Sequence, residues 1–425
     1  MWHFTIILLS ILNNQHRSLL EHNSSIKTWV KFNATIGWYE SGYFSDFIKI
    51  NHFNIKPRIP CIRCDNFLIA ENEACGSLQQ PTFSHGIYIQ NSQFGLDFLK
   101  KVVNDKLKVL TFQRCKLSDE MFDLIASNQS IESLQFLSTK VDGKSLAKLG
   151  KMKNLKNLML RGTSTSDTEI GCLSDFASLE AICLSNTQVS NDTLSVLLSK
   201  LASLKCVELI FRKVDNRLID KITSLKNLEV LAITGADITH DMIKSISKVN
   251  TINFLDLSEN RISNQFLEEI QSMQSLSALV LRNTGLTNAS IPVIAKIKNL
   301  SHLSVSYNRI DDKGVSHLKS MEKLTHFEAA YTDINGLTLH ELDAVVVLEL
   351  FNCNMNVDAI SIISKLPCLK FIDLTNSYSQ LDNKNYSSLL CSPNLSRCLL
   401  VNTSLTLSNM SFIHKNDFLH KLVFN

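Results

Sequence analysis

One pattern restricts this chain more than any other. An apolar signature L-x-x-L-x-L begins at Leu107, Ile131, Leu155, Leu179, Leu204, Leu228, Ile252, Leu276, Leu300, Leu324, Val345, Leu369, Leu395 and Leu419. Successive starts lie 24 residues apart, except for steps of 25, 21 and 26 that end at Leu204, Val345 and Leu395. Fourteen starts with three fixed places give 14 × 3 = 42 positions, and all are drawn from the hydrophobic set that makes up only 44% of the chain. Separate globular domains do not repeat themselves at a fixed period, whereas a stack of like units does.

Each unit has the same internal order. In the unit from Ile252, the residues Ile252, Leu255 and Leu257 alternate around Phe254 and Asp256, the period of two that marks a short strand. Eight residues after the start stands Asn260, and the same place holds Cys115, Thr139, Thr163, Thr187, Thr284, Asn308, Thr332, Cys353, Ser377 and Thr403. Small hydrogen-bonding groups there satisfy backbone where the strand turns away. Arg212 and Ala236 break the column. An anchor follows (Ile262, Leu286, Ile310, Ile334), then Asp119, Asp167, Asn191, Asn264, Asn288 or Asp312 at a turn and helix cap. Pairs spaced by three, such as Leu267/Ile270, Ile291/Ile294, Val315/Leu318 and Ile360/Ile363, predict a helical face turned inward. Strand, turn, helix and loop therefore recur. The expected class is α/β, with parallel strands on a concave face and short helices on a convex one.

The chain resembles the leucine-rich-repeat family over roughly residues 84–425. It looks most like the bacterial type written LxxLxLxxTxITDxGLxxLxxLxx, here "LSHLSVSYNRIDDKGVSHLKSMEK" and "LEAICLSNTQVSNDTLSVLLSKLAS". The resemblance implies a curved solenoid of about 14 repeats of about 24 residues, and a binding role whose partner the fold leaves open.

The ends are read separately. Residues 84–106 form a degenerate first repeat, with Ile87 and Ile89 in the strand columns and Leu99 and Val102 in the helix columns. Residues 21–83 are aperiodic and aromatic (Trp29, Phe32, Trp38, Tyr39, Tyr43), a flanking region that caps the core. No cap is evident after Leu419, which leaves two readings open: a truncated chain, or end-to-end association at the C-terminus. In residues 1–20, the apolar run Phe4–Leu12 is shorter than the roughly 20 residues that span a bilayer. It is either a signal or anchor segment that gives export or membrane attachment, or a hydrophobic segment docked on the first repeat. A hydrophobic N-terminus ahead of such an array looks like the membrane-held members of the family.

Charge excludes one class of partner. Lys+Arg 43 against Asp+Glu 40 leaves +3, no basic footprint for nucleic acid. With Gly at 13, there is little material for a phosphate cradle. G-x-x-x-x-G-K-[ST], G-x-G-x-x-G and G-x-S-x-G are all missing, and His340-Glu341 lacks the second histidine of H-E-x-x-H. No catalytic residue and no cofactor are expected.

Cys61, Cys64 and Cys75 leave three readings open: zinc completed by His52 or His85, a disulfide with one thiol over, or plain free thiols. The last is favoured, because three cysteines complete neither framework. The N-x-[ST] sequons, among them Asn33, Asn128, Asn299 and Asn385, would matter only in a eukaryotic secretory route, and the reading is bacterial.

The columns that build no core are free to bind. They hold Phe254, Asp256, Arg282, His302, Tyr307, His326, Glu328, Tyr331, Glu349, Phe351, Phe371 and Asp373, an aromatic and acidic patch. Upstream stand the blander Ser133, Gln135, Asn157, Ala181, Ser185 and Thr234. Strands at about 4.8 Å turn columns into ladders, so His302 should face His326, Tyr307 face Tyr331, and Glu328 face Glu349 and then Asp373. A metal on His302, His326 and Glu328 is not expected, because ladder neighbours do not converge on one ion. The function read here is a non-catalytic scaffold that takes a protein or peptide on its concave face, membrane-associated or extracytoplasmic. Its alternative is a cytoplasmic substrate adaptor of a ubiquitin-ligase-like assembly, docked through residues 21–83.

Overall fold

The computed structural model describes residues 34–39, 59–65, 81, 84–210, 213–377, 388–389, 392, 394–400 and 422–423. Two compact units divide the chain, Met1–Leu228 and Glu229–Asn425. Both are α/β, with parallel strands alternating with short helices as the period demands: the leucine-rich-repeat architecture.

In the first unit, β1 (Ala34–Tyr39) lies antiparallel to β2 (Ile59–Asp65), which runs parallel to β3 (His85–Gln90). The parallel series continues through β4 (Leu107–Gln113), β5 (Ser133–Leu137), β6 (Asn157–Arg161), β7 (Ala181–Cys183) and β8 (Cys206–Ile210). Pairing runs from repeat to repeat in one register, Leu134 with Leu158, then Ile182, then Val207. Ile87, Ile89, Leu99 and Val102 are all buried, as expected for a first repeat. Stacked phenylalanines thicken this core: Phe94 and Phe112 are 6.1 Å apart, Phe112 and Phe136 5.9 Å.

The second unit carries β9 (Val230–Thr234), β10 (Phe254–Asp256), β11 (Ala278–Val280), β12 (His302–Ser304), β13 (His326–Glu328), β14 (Val347–Glu349), β15 (Phe371–Asp373), β16 (Arg397–Leu399) and β17 (Leu422–Val423), each parallel to the next. Leu255, Leu279, Leu303, Phe327 and Leu348 form one core ladder. Its last step is the 21-residue repeat, and the register does not slip. The shortening falls on the helix side, where only the 3-10 turn Leu339–Glu341 forms. Gly336 enters that turn at φ +89, and a Cβ there would run into Met355 and Ala359.

The small polar column does what its composition implies. Asn260 donates to the carbonyls of Ile233 (2.7 Å) and Leu257 (2.9 Å), and its Oδ1 accepts the Ala236 amide (2.8 Å). Asn308 repeats this on Leu281, Val305 and Thr284. Thr139 joins Phe112 O to the Cys115 amide. Arg212 and Thr403 lie outside the described residues.

The Asp and Asn residues of the turns need one correction. Asp119, Asp167, Asn191, Asn264 and Asp312 are first helical residues; the caps are Ser118, Ser166, Ser190, Ser263 and Asp311. Asn288 opens a 3-10 turn capped by Thr287. The displaced side chains tie each repeat to the next: Asp167 accepts the Ser190 amide at 2.6 Å and Asp312 the Asn335 amide at 2.7 Å. The helix anchors Leu267, Ile270, Ile291, Ile294, Val315, Leu318, Ile360 and Ile363 are buried.

Among the described residues, no helix is long and apolar enough to cross a membrane. Phe4–Leu12 and the rest of residues 1–20 lie outside them, as do Trp29, Phe32, Tyr43, His52 and Cys75. Cys64 is buried in β2, and among the described residues no group of His, Cys, Asp and Glu is placed to hold a metal. The sequon amides of Asn128 and Asn299 are engaged, donating to Asn104 O and Gln274 O, both at 2.8 Å.

Candidate binding surface

Successive residues of a strand point to opposite faces. With the L-x-x-L-x-L places packed against the helices, the intervening residues stand on the open face of the second unit's sheet. Their ladders follow the register: Phe254, Ala278, His302, His326, Val347, Phe371 in one, and Asp256, Val280, Ser304, Glu328, Glu349, Asp373 in the next. His302 does face His326, the rings 5.9 Å apart and nearly parallel, and Glu328 faces Glu349, which faces Asp373.

Solvent reaches these columns less than the alternation alone implies. Phe254, Asp256, His302 and Glu349 are buried, and Arg282, His326, Glu328, Phe351, Phe371 and Asp373 are half-buried. The strands are three residues long, and ladder neighbours cover one another's flanks at about 4.8 Å. Asp256 shows the result: its Oδ1 accepts from Ser258 Oγ at 2.5 Å and from the Ser258 amide at 2.9 Å. Burial still pushes its carboxyl up to about 6, against the pull of Ser258 and Arg282. His302 is held down to about 4 by burial, with Nε2 3.5 Å from Glu328 Oε1. His326 falls to about 4 through burial and the adjacent His302; its Nδ1 lies 2.7 Å from Thr325 Oγ1.

Tyr307 and Tyr331 differ from all of these. They are 42% and 44% exposed to solvent. Their rings stack at 4.3 Å, Phe351 meets Tyr331 edge-on at 5.2 Å, and the Arg282 guanidinium lies 5.3 Å over Tyr307. Neither tyrosine is a strand residue. Both occupy the turn just beyond, with φ of +61 and +54. Wherever the same place, seven residues after a start, falls among the described residues it is left-handed: Arg114, Ser138, Gly162, Asn186, Gly235, Glu259, Asn283, Asn352 and Asn376. It lets the chain turn while its amide still bonds to the following repeat, Tyr307 N to Ala330 O at 2.8 Å and Tyr331 N to Phe351 O at 3.0 Å. Glycine and asparagine suit that backbone and bulky side chains do not. The run of Gly and Asn in this column was the available signal, and the alternation reading passed over it. Ser258 was missed too, although its column also holds Ser185, Thr234, Ser306 and Thr375, and the Thr375 amide donates to Asp373 in the same way.

The buried thiols build no site. Cys183, Cys206 and Cys398 sit in the strand columns, raised by burial. Cys115 and Cys353 hydrogen-bond to the carbonyls of Ile89 and Ala329.

No family model matches the chain, and no curated protein matches it. Among solved structures, an internalin (inlF) from Listeria monocytogenes is similar, at 17% identity and a TM-score of 0.47, with 76% of this chain and 87% of that one covered.

Proposed function

We propose that this chain is a non-catalytic scaffold that captures a protein or peptide on the open, concave face of its strands, outside the cytoplasm or attached to a membrane. A repeat fold hosts many roles, so the reading rests on the site. The observation that carries it is the exposed Tyr307–Tyr331 stack, held in a backbone conformation that disfavours large side chains. Rigid exposed aromatics bury much surface on binding and lose little side-chain entropy. The stack with Phe351 and Arg282 is the centre of the surface, and the half-buried Phe371 and Asp373 lie towards its rim. Export is supported by the apolar run Phe4–Leu12 alone.

The test is affinity capture from native extract with the full chain, beside a Tyr331→Ala/Phe351→Ala variant of unchanged circular dichroism. A protein held by the parent and lost by the variant supports the face. Equal retention by both removes it.

A further inference from the structure

The open face of the second unit is unequal in charge. Across the strand columns of β10 to β15, Asp256, Glu328, Glu349 and Asp373 give −4, and in the turns just beyond them Arg282 and Glu259 offset one another. The chain as a whole carries +3. His302 and His326 share the columns but, held down to about 4, cancel none of this at neutral pH. Glu328, Glu349 and Asp373 follow one another on adjacent strands, where like charges oppose pairing. On β16 the carboxylate ladder passes to Leu399.

The aromatic group borders that strip. Tyr331 follows Glu328 by three residues and Phe351 follows Glu349 by two, while Ala330 leaves little side chain between Glu328 and Tyr331. One end of the stack already holds a cation, since Arg282 lies 5.3 Å over Tyr307. That contact shows which chemistry these rings accept: a planar cation on an aromatic face, strengthened when desolvated.

Resting on the concave-face reading above, we propose that the partner presents an arginine or lysine, which docks against the Tyr331–Phe351 edge and is drawn by the half-buried Glu328 and Asp373, with the buried Glu349 adding to the field between them. The aromatic edge supplies contact area and the carboxylates supply selection for charge. An acidic partner is repelled by the same strip.

Fluorescence anisotropy of labelled octa-arginine, octalysine, octaglutamate and a Gly-Ser peptide of equal length, titrated with the full chain, tests this. Octa-arginine should bind, with octalysine weaker and the other two not at all. Replacing Glu328→Gln, Glu349→Gln and Asp373→Asn together should weaken octa-arginine by at least about ten-fold. A control, Asp119→Asn, Glu120→Gln and Asp123→Asn, removes as much charge from a convex helix and should leave binding unchanged. Glu328→Gln alone serves if the triple variant does not fold. Equal weakening by the control, no weakening by the face variant, or no octa-arginine binding up to about 1 mM overturns the proposal. A captured partner that is lost with Tyr331→Ala/Phe351→Ala but kept by the face variant also overturns it, and leaves the concave-face reading intact.

Discussion

The two units have cores of the same kind and differ on their open faces. In the first, the strand columns carry Ser133, Asn157, Ala181 and Cys206, then Gln135, Met159, Cys183 and a single, buried carboxylate, Glu208. In the second they carry His302, His326 and Phe371, then Glu328, Glu349 and Asp373. At the left-handed turn both units use glycine and asparagine (Gly162 and Asn186; Gly235, Asn283, Asn352 and Asn376), and the second adds Tyr307 and Tyr331. Beneath both, the packing columns are mostly leucine and isoleucine, with Phe112 and Phe136 in the first unit and Phe327 in the second. Burial dictates the packing columns, and the open face is where the units are free to diverge.

If the cores are equivalent, they respond equally to truncation. Leu134 and Leu257 are both 0% exposed. Leu134→Ala and Leu257→Ala should each destabilise by about 2–5 kcal/mol, read from the urea midpoint. An unchanged midpoint for either would show that its repeat is not packed in this register.

Acid should separate the faces next. A histidine whose value falls from 6.5 to about 4 on folding takes up no proton while the unfolded chain does. Its stabilising contribution is therefore present above 6.5 and lost as pH falls towards 4. Asp256, raised from 3.8 to about 6, works in the opposite sense over nearly the same window, but one carboxyl faces two histidines. Stability should fall between about pH 7 and 4.5, and His302→Gln should recover on the order of 3 kcal/mol of that loss. The same fall in parent and variant would remove His302 from the account.

The legible part of this fold was what burial enforces. Period, register, inward helix pairs and the polar column all follow from having to fill or satisfy a closed interior. Even the short step at Val345 kept register, because its loss came out of the helix side. The open face was legible in composition and in ladder order, His302 beside His326 and Glu328 beside Glu349. Accessibility was not, because Asp256 and Glu349 are covered by neighbours that alternation along a single strand does not count. Nor was the backbone of Tyr307 and Tyr331, since a tyrosine carries no sign of positive φ and only its column does.

That column gives the smallest effect and the most discriminating one. Left-handed backbone costs a residue with a Cβ roughly 1–2 kcal/mol, and asparagine tolerates it better than tyrosine. The Tyr307–Tyr331 stack and the edge contact with Phe351 return about 0.5–1.5 kcal/mol apiece. The terms offset, so Tyr331→Asn should move the unfolding free energy by less than about 1 kcal/mol in either direction while it weakens capture of the partner. In the first unit, Gly162 has φ +63 and its column neighbours are Ser138 and Asn186, with no ring to stack on. Gly162→Tyr should therefore bear the strain alone and destabilise by about 1–2 kcal/mol. Calorimetry on both variants decides between two uses of an aromatic at this turn. If Tyr331→Asn costs as much as Gly162→Tyr, the tyrosines are there to hold the second unit together. If it costs nothing while capture fails, the backbone strain is borne for a partner.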